Sequence, residues 1–520
     1  MFQKALEKNN LTKYFQRYDL RIIIPAGEEY FYDFFNDFLK SNEKLYIDPD
    51  CDPDGGFSLK IIMHMLDTLG CNRYTYTHHS TKRHKMPLSS ARSIINAGYK
   101  YVLILDSSTN DIEVLEEFDK AGVRVLVIDH HELDSNVIYD TEKVHIINPQ
   151  IDMFKRNISV LCDCSAGMIT ALLVENYVDL YHNSFLKLLK NYHLVYGLIT
   201  LFSDSCRFSV YNIMLLRYIE MLADIPPIIE LFFDAYNSTI NRNFINYRFI
   251  PRINALYRLE EYRLLEMLLY DDGYKDSDFM NTIEFLYSKA RSVRSDIGDF
   301  LINSGYVNKF QNSVYAVIPN NVVQDYSINK GINLRNFTGP IAQYLADWSG
   351  GVGYAFMETA PGLLEGSCRD TLNRDILSLT SPYFTAQGHP SAFGCSLPID
   401  SLAYIQAYID PKIEVKKECF VTVDWRGLNK YSEEVKLDVF QMAEFNEFSG
   451  DKIPEAIAIF TVTKDCRINN RERVSFCNFG DTLSIKYFNG SFSVGQTLIL
   501  KPVKVSRGVE CTVVVSKDKL

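Results

Sequence analysis

The sequence predicts an α/β protein with four parts: a parallel-sheet domain, a helical bridge, a smaller α/β domain and a C-terminal β domain. Three observations support this. Strand-like apolar runs alternate with helical patterns over residues 44–149, as in parallel sheets. A long helical region with a bridging helix at 284–301 precedes a second strand and helix alternation from residue 313. From residue 418 onward, short alternating segments with polar turns favour a small antiparallel barrel or sandwich.

Size and composition set the frame for this organisation. The chain has 520 residues, too many for one hydrophobic core, and we expect parts at 1–270, 271–305, 306–410 and 411–520. The net charge of −11 excludes a binder that attracts nucleic acid through an overall positive field, but it leaves room for a local basic groove. No apolar run reaches the roughly 18 residues of a membrane span, and no secretory signal pattern is visible. The 11 cysteines lack paired zinc spacing, so we expect reduced thiols and a cytoplasmic protein.

The elements of the first domain follow in a regular order. Strands are predicted at 44–48, 101–106, 123–131 and 143–149. The stretch FSLKIIMHMLDTLG predicts a helix after the first strand, and IEVLEEFDKAG predicts another that ends at a glycine. Residues 165–223 have a helical pattern that contains the apolar run before Asp204. This order indicates a mostly parallel sheet with helices on its faces.

Three of these strands end in acidic or histidine residues. The first runs into IDPDCDPDGG, residues 47–56, in which four aspartates alternate with other residues and two glycines follow. Because ligands bind beyond the carboxyl ends of parallel strands, we expect the three groups to meet along one edge of the sheet. The residues concerned are Asp48, Asp50, Asp52, Asp54, Asp106, Asp129, His130 and His131.

This concentration of carboxylates and imidazoles indicates a centre for divalent cations. Hard cations take carboxylate oxygens, and a pair of cations usually shares one bridging carboxylate. Such a pair activates a water and stabilises the leaving oxygen of a phosphoester. In this interpretation Asp52 and Asp54 point the same way from an extended segment, and Gly55 and Gly56 let the chain turn closely past the metals. Asp106 would bridge the two cations, and His130 would supply a nitrogen ligand. Asp129 would orient an imidazole, and Asp204 would complete the ligand set.

Simpler interpretations exist for the same residues. A single strand-end aspartate such as Asp106 often only solvates a loop or caps a helix. A calcium loop is the alternative for the aspartate run, but no glutamate occupies the twelfth position of an EF-hand pattern. The coincidence of three acidic strand ends favours the metal centre.

The motifs DCDPDGG, LILDSS, VIDHHEL and YGLITLFSD, in that order, resemble the four motifs of the DHH phosphoesterases, named for the Asp-His-His of the third motif. In that family, residues of the four motifs bind two Mn²⁺ or Mg²⁺ ions. The resemblance implies a catalytic role for His131, facing the substrate phosphate, and we assign a further one to Asp129 beside it. It also implies metal ligation by Asp50, Asp52, Asp54, Asp106, His130 and Asp204, of which Asp50 follows the RecJ-type form of the first motif.

Two downstream segments resemble the DHHA1 domain that accompanies this family. EGSCRD, residues 365–370, is similar to its Ser-x-Arg strand, and AQGHPSAFG, residues 386–394, is similar to its Gly-Gly-His-Pro loop. The resemblance implies that Ser367, Arg369 and His389 hold the phosphates or the terminus of the substrate. A guanidinium can grip a phosphate bidentately. The alternatives are a surface salt bridge for Arg369 and loop packing for His389.

Within the family the chain resembles the RecJ-like members, which degrade single-stranded DNA from the 5′ end. The first motif ends in Asp-Gly, and a helical bridge separates two α/β parts. A β-rich segment stands where RecJ carries an OB-fold, so the resemblance implies an OB-like β-barrel over 411–520. We therefore expect a two-metal 5′–3′ exonuclease on single-stranded DNA, acting in DNA repair or recombination in a bacterial or phage-infected cytoplasm. Single-strand-binding protein or other replication and repair proteins are the expected partners. The alternatives are a phosphodiesterase of short oligonucleotides or cyclic dinucleotides, and a non-catalytic DNA-binding accessory protein.

The sequence departs from the RecJ pattern at three places. The second motif has Asp-Ser-Ser in place of Asp-Cys-Gly, and Gln387 replaces the first glycine of Gly-Gly-His. The loop before the second motif lacks the RecJ arginine and Gly-Tyr-Gly but carries other basic residues, which either contact DNA phosphates or remain solvated. These departures bear on the substrate more than on the metal chemistry. The basic residues of the loop are Lys82, Arg83, His84 and Lys85.

Overall fold

The coordinates are those of a computed structural model. It describes residues 1–9, 23, 25–77, 85–133, 138–156, 160–181, 184–204, 206, 209–220, 225–236, 240, 244–269, 278–372, 374–414, 420–426, 433–446, 455–472, 474–479, 483–488, 490–505 and 508–516. Helices and strands are numbered below in chain order. In the described part of the chain, no helix is both long enough and apolar enough to cross a membrane.

The first domain is built on a five-stranded sheet in the order β2-β1-β3-β4-β5, and all of its strand pairs are parallel. Apart from the short edge strand β2, the strands are buried runs rich in Val, Ile and Leu, as expected where both faces of a sheet are covered. The predicted α/β fold is confirmed. The strands are β1 (Leu45–Pro49), β2 (Tyr74–Tyr76), β3 (Tyr101–Leu105), β4 (Arg124–Ile128) and β5 (Val144–Ile147).

Helices cover both faces of this sheet and then form the helical region. In α2, four phenylalanines at helical spacing are buried, whereas its charged residues lie on the opposite side. The predicted bridge is a single 25-residue helix, α13, which is longer than the predicted 284–301. The helices are α1 (Phe2–Lys8), α2 (Glu28–Lys40), α3 (Pro53–Thr68), α4 (Leu88–Asn96), α5 (Ile112–Lys120), α6 (Pro149–Arg156), α7 (Ala166–Tyr181), α8 (Ser184–Ser203), α9 (Val210–Glu220), α10 (Pro227–Tyr236), α11 (Ile250–Arg258), α12 (Tyr262–Leu269) and α13 (Phe279–Asn303).

The strand order places a crevice between β1 and β3. From β1 the chain passes to β2 on one side, and β3 then lies on the other side of β1. This reversal is the switch point at which α/β sheets bind ligands. The aspartate run follows β1 and Asp106 follows β3, and the backbone N–H of Asp50 donates to the carbonyl of Leu105 at 3.0 Å. The two acidic strand ends therefore meet at this crevice.

The second domain is a six-stranded sheet in the order β10-β11-β9-β8-β7-β6, in which β7 and β8 form the parallel pair. Helix α15 packs on β8 and β9 and also against the bridging helix α13. The strands are β6 (Val307–Lys309), β7 (Ser313–Ile318), β8 (Val352–Ala360), β9 (Leu363–Asp370), β10 (Thr385–His389) and β11 (Ala392–Pro398). The helices are α14 (Asn320–Lys330), α15 (Thr338–Ser349) and α16 (Leu377–Thr380).

The C-terminal domain is β-rich, as predicted, and its seven-stranded sheet has the order β12-β13-β17-β18-β16-β15-β14. Two of its pairs, β12 with β13 and β16 with β18, are parallel, whereas the strand pattern predicted antiparallel pairing. A parallel pair needs a crossover connection, and α17 (Glu433–Asn446) provides it between β12 and β13. The strands are β12 (Phe420–Asp424), β13 (Glu455–Thr461), β14 (Arg467–Asn469), β15 (Val474–Phe479), β16 (Leu483–Phe488), β17 (Thr497–Val505) and β18 (Gly508–Ser516).

Contacts distant in sequence join the domains. Helix α1 packs against β12 and α17 of the C-terminal domain, where Asp438 accepts a hydrogen bond from the backbone N–H of Phe2 at 3.0 Å. In the helical region, the buried guanidinium of Arg252 donates two hydrogen bonds to the carboxylate of Glu284 on α13, at 2.8 and 3.0 Å. Bidentate pairs of this kind fix geometry as well as adding energy.

Candidate metal centre

The junction between β1 and α3 positions the first carboxylates. Asp52 is the N-cap of α3, and its side chain accepts hydrogen bonds from the backbone N–H groups of Asp54 and Gly55 at 2.9 and 3.2 Å. Pro53 at the first helical position favours this helix start. Asp54 therefore lies in the first turn of a helix, and the predicted extended arrangement of Asp52 and Asp54 is wrong. The two carboxylates differ in direction because the helix begins between them.

Glycine at position 55 is required by close packing. A Cβ there would lie 2.4 Å from the carbonyl oxygen of Asp50, which no side chain tolerates. Its φ is not in the left-handed region, so the residue allows the helix to approach the strand end rather than allowing a turn. This close approach keeps Asp50 and Asp54 within one compact group.

Asp54 is buried and faces the N-terminus of α7. Its two carboxylate oxygens accept hydrogen bonds from the backbone N–H groups of Ala166 and Gly167 at 2.9 and 2.7 Å. Oδ2 also lies 3.7 Å from Nε2 of His130. Burial, followed by the charges of Asp204 and Asp52, raises the pKa of Asp54 well above its usual value, whereas the two N–H groups lower it. Asp54 thus connects a helix end to the centre of the site.

Asp106 occupies the crevice directly after β3. Its φ of +64° is in the left-handed region, which is uncommon for a residue with a side chain. Burial and the charges of Asp54, Asp52 and Asp50 raise its pKa well above the usual value. Its Oδ1 is buried and accepts no hydrogen bond from any other described residue. A carboxylate that is buried without a hydrogen bond, on a residue with a strained backbone, lowers the stability of the fold unless a ligand binds it.

Asp129, at the end of the adjacent strand β4, has the opposite environment. Its carboxylate accepts hydrogen bonds from the backbone N–H groups of His130, His131 and Thr109, and it contacts Nδ1 of His131 at 2.7 Å. Burial alone would raise the pKa of Asp129, but the charge and hydrogen bond of His131, together with His130, outweigh burial and hold the pKa well below its usual value. Asp129 is thus an ionised anchor for the His131 ring and not an open ligand position.

His130 lies at the centre of the carboxylates. Its Nε2 is 3.4 Å from Oδ1 of Asp106 and 3.3 Å from Oδ2 of Asp204, yet it makes no hydrogen bond within the described residues. Burial lowers the pKa of His130 to about 4, and this outweighs the opposing charge of Asp204. The ring is therefore neutral near pH 7. A neutral imidazole nitrogen is the form that ligates metal ions.

Asp204 follows the C-terminal end of α8, and its side chain contacts both domains. Its Oδ2 lies 2.9 Å from Nε2 of His389 on β10, in addition to the contact with His130. The second domain therefore reaches directly into the group of acidic side chains on the first. We call the space between the two the domain cleft.

The residues present fit divalent cations. Three overlapping triads each offer ligand atoms that lie within 4.8 Å of one another. Asp106 and His130 belong to two triads each, so a bridging position for Asp106 is consistent with the geometry. The buried, unsatisfied Oδ1 of Asp106 and Nε2 of His130 are the atoms that a cation would satisfy. The triads are Asp50, Asp52 and Asp106; Asp106, His130 and His131; and His130, Asp204 and His389.

Two half-buried arginines, Arg369 of the second domain and Arg258 of α11, lie near each other and form a cationic group. The guanidinium of Arg369 packs so closely on Gly339, in the first turn of α15, that a Cβ there would lie 2.6 Å from Nη2. Ser367 and Thr338 share a hydrogen bond of 2.9 Å beside it. Burial lowers the pKa of Arg369, and burial together with the charge of Arg369 lowers the pKa of Arg258 to about 10. Neither guanidinium forms an ion pair with a carboxylate of the described chain.

The sheet register relates this group to His389. Arg369 pairs with Ala392 on β11, and Ala392 pairs with His389 on β10. Residues directly opposite each other project from the same face, and two strand spacings separate their Cα atoms by about 10 Å. The segment predicted as a loop is a hairpin that presents His389 on the same face as Arg369.

The structure thus brings the sequence-predicted residues to the two sides of one cleft, and their individual roles stay predictions. Lys85 is exposed and shares a narrow groove with Asp48, Asp50 and Ser107, where Asp111 fixes the neighbouring backbone by accepting from the N–H of Met86 at 2.7 Å. The basic residues Lys82, Arg83 and His84 lie outside the described residues. Sequence reasoning missed Arg258, because nothing in the pattern of α11 distinguishes it from a solvated arginine.

Comparisons with known proteins agree with this architecture. Residues 44–192 match the family described as DHH family, N-terminal domain. RecJ from Thermus thermophilus in complex with Mn²⁺ superposes with a TM-score of 0.72 at 16% identity, covering 96% of this chain and 72% of that chain. The same protein in complex with Mg²⁺ gives a TM-score of 0.65 at 14% identity, with coverages of 98% and 73%.

A further structure, exonuclease RecJ bound to manganese, gives a TM-score of 0.56 at 15% identity and covers 76% of this chain and 96% of that chain. No curated protein sequence matches this chain significantly. Identities this low show a shared fold and not a shared activity. Residues 44–192 therefore match a DHH-family N-terminal domain, and the chain as a whole shares its fold with RecJ.

Proposed function

We propose that this chain is a two-metal phosphodiester hydrolase that degrades single-stranded DNA from its 5′ end. The proposal rests on two groups of opposite charge, one of carboxylates around the buried His130 and one of two half-buried arginines. Carboxylates and a neutral imidazole lie on one side, and two guanidiniums beside a helix N-terminus lie on the other. A phosphodiester bound to metals at one end and held by an arginine at the other fits this arrangement.

On the first side, this chain's residues would hold two cations. Asp50, Asp52, Asp106 and His130 offer ligand atoms at the crevice, with Asp54 and Asp204 next to them. When bound, the cations lower the pKa of a water and neutralise charge that develops on the phosphate. The buried position of the ligands keeps bulk water away, which strengthens these electrostatic effects.

Asp129 and His131 act as an oriented pair beside this centre. The contact between the Asp129 carboxylate and Nδ1 of His131 leaves Nε2 directed away from Asp129. We assign His131 the task of contacting the substrate phosphate or the leaving oxygen. Asp129 fixes the tautomer and the ring orientation, as carboxylates behind functional histidines commonly do.

On the second side, Arg369, Arg258 and Ser367 would hold a terminal phosphate. A bidentate guanidinium contact and the N-terminus of α15 both favour a dianion at this position. The separation of about 10 Å between the backbones of Arg369 and His389 is a span that one nucleotide can bridge. Holding the terminal phosphate there would place the first phosphodiester bond at the metal centre, so that mononucleotides are released.

The wider biological setting remains an expectation from the sequence. It includes a role in DNA repair or recombination, a bacterial or phage-infected cytoplasm, and single-strand-binding protein or other replication proteins as partners. The C-terminal domain would add contacts to the single-stranded DNA if its sheet binds nucleic acid as an OB-fold does.

The test is a panel of labelled substrates with Mn²⁺ or Mg²⁺: long single-stranded DNA with a free 5′ or 3′ end, duplex DNA, RNA, dinucleotides and cyclic dinucleotides. We expect mononucleotides to be released from the 5′ end of single-stranded DNA, and no release after chelation of the cations. Hydrolysis restricted to dinucleotides or cyclic dinucleotides would replace the exonuclease with the short-substrate alternative. Binding of DNA without any hydrolysis would support the accessory protein.

A further inference from the structure

His389 contacts the metal-ligating group of the other domain. Its Nε2 lies 2.9 Å from Oδ2 of Asp204, and the same oxygen lies 3.3 Å from Nε2 of His130. One carboxylate oxygen therefore sits between two imidazole nitrogens, one from each domain. All three ligand atoms lie within 4.8 Å of one another.

These distances suit ligation of a single cation. Two ligand atoms that are each about 2.1 Å from one ion lie at most about 4.2 Å apart, so the two pairs that include Oδ2 of Asp204 fall in range. Nε2 of His130 is buried and makes no hydrogen bond in the described structure, so it is open to a cation. A carboxylate and two imidazoles are a common ligand set for transition metals.

The hairpin that carries His389 packs closely against its partner strand at Gly388. Gly388 adopts a φ of +137°, and a Cβ there would lie 2.9 Å from the backbone of Phe393 on β11. The His389 ring lies 5.7 Å from the His130 ring and 6.2 Å from the His131 ring, measured between centroids. With 35% of its side chain exposed, His389 is also reached from the cleft. Because His389 belongs to the second domain and Asp204 to the first, their contact depends on how the two domains are placed.

We propose that His389 is a metal ligand supplied by the second domain, so that cation binding and closure of the domain cleft are linked. The inference rests on the metal centre of the proposed function and gives His389 a role different from a substrate-phosphate contact. Cations then bind more tightly to the closed arrangement, and by reciprocity they stabilise closure. The chain would be compact when loaded with cations, before any substrate arrives.

The test compares the full-length chain with His389→Ala, without substrate. Calorimetric titration with Mn²⁺ should show about 10- to 100-fold weaker binding at one site in the variant. Pulsed electron paramagnetic resonance of bound Mn²⁺ should detect one fewer coordinated nitrogen. Small-angle X-ray scattering should show that added Mn²⁺ compacts the wild type but not the variant. Thr385→Ala, at an exposed position on the same strand, is the matched control and should behave as the wild type does.

His389→Gln serves as a second variant, and thermal unfolding checks that each variant is folded. Unchanged Mn²⁺ affinity in folded His389→Ala, or an unchanged number of coordinated nitrogens, would overturn the inference. Because no substrate is present, that result leaves the exonuclease proposal standing. Conversely, wild-type chain that binds Mn²⁺ through His389 but does not cut DNA would retain this inference and refute the exonuclease.

Discussion

The two sides of the cleft carry opposite charges, and on both sides burial shifts the pKa of charged groups. On the first domain, buried carboxylates surround a neutral histidine. On the second side, two guanidiniums lie beside a helix N-terminus, and burial lowers the pKa of both. On the first side Oδ1 of Asp106 is buried and accepts no hydrogen bond from the described residues, and on the second side neither half-buried guanidinium pairs with a described carboxylate. Both features cost folding free energy. Proteins keep such unfavourable groups where a bound ligand offsets their cost. The negative charge of the first side indicates cations as its ligands, and the positive charge of the second side indicates an anion.

The same contrast appears on a smaller scale between Asp106 and Asp129. Both are buried aspartates directly after neighbouring parallel strands. Asp129 is surrounded by hydrogen-bond donors and stays ionised, whereas Asp106 faces other carboxylates and has a raised pKa. Position at a strand end therefore does not by itself define a ligand. The donors that surround the carboxylate decide whether it is an anchor or an open position.

The largest expected effect comes from removing the charge of Asp106. Asp106→Asn should lower Mn²⁺-dependent release of nucleotides by about 1000-fold or more, because it removes the carboxylate shared by two triads. Asparagine tolerates the left-handed φ of this position, so the variant separates the loss of charge from backbone strain. A labelled single-strand assay measures the rate. Activity within tenfold of wild type would remove Asp106 from the centre.

A smaller effect is expected on the cationic side. Arg369→Gln and Arg258→Gln should each weaken use of 5′-phosphorylated DNA by about 10- to 100-fold, the usual worth of a charge-assisted hydrogen bond. Substrates with a 5′-hydroxyl should be affected much less. Steady-state kinetics on matched 5′-phosphate and 5′-hydroxyl strands measures the difference. Arg335→Gln, an exposed arginine of the second domain, is the control. An equal loss on both strands would contradict a terminal-phosphate site.

Asp129→Asn tests whether Asp129 orients the His131 ring, in contrast to Asp106, which we expect to bind metal. We expect about a 10-fold lower rate, because the amide no longer fixes the His131 tautomer. Mn²⁺ affinity by calorimetry should stay close to that of wild type, in contrast to Asp106→Asn. If the two variants lost Mn²⁺ equally, the distinction drawn between the two aspartates would be wrong.

The smallest effect concerns a buried imidazole away from the cleft. His193 on α8 is fully buried near His64, and burial lowers its pKa to about 3. The unfolded chain binds this proton near pH 6.5 and the folded chain does not, so stability is full above pH 6.5 and falls as the pH drops toward 3. The loss approaches about 1.4 kcal/mol per pH unit below 6.5.

Urea unfolding at several pH values measures this slope. His193→Leu should reduce the slope between pH 6.5 and 5 relative to wild type, because the substituted side chain has no proton to bind. An identical slope in both proteins would show that His193 is protonated as readily in the folded chain as in the unfolded one. The experiment also separates the acid sensitivity of the fold from that of the metal centre.

The chemistry of the first side could be predicted because it depends on local sequence. A buried strand followed by acidic residues places those residues at a sheet edge, whatever the rest of the chain does. The prediction was wrong for the backbone at Asp52 and Asp54, where Pro53 starts a helix directly after the N-cap. Alternating apolar residues likewise predicted the strands of the C-terminal domain but not their partners, because strand pairing depends on contacts between distant segments.

The sequence by itself therefore determined the α/β fold class, the acidic strand ends and the identity of the candidate ligands. Only the tertiary structure decided which carboxylates are satisfied, that Asp54 faces the N-terminus of α7, and that Arg258 joins Arg369. It also decided that His389 reaches Asp204 across the cleft. The physical reason is that burial and pairing depend on segments that lie far apart in the chain, whereas residue chemistry and strand periodicity are local.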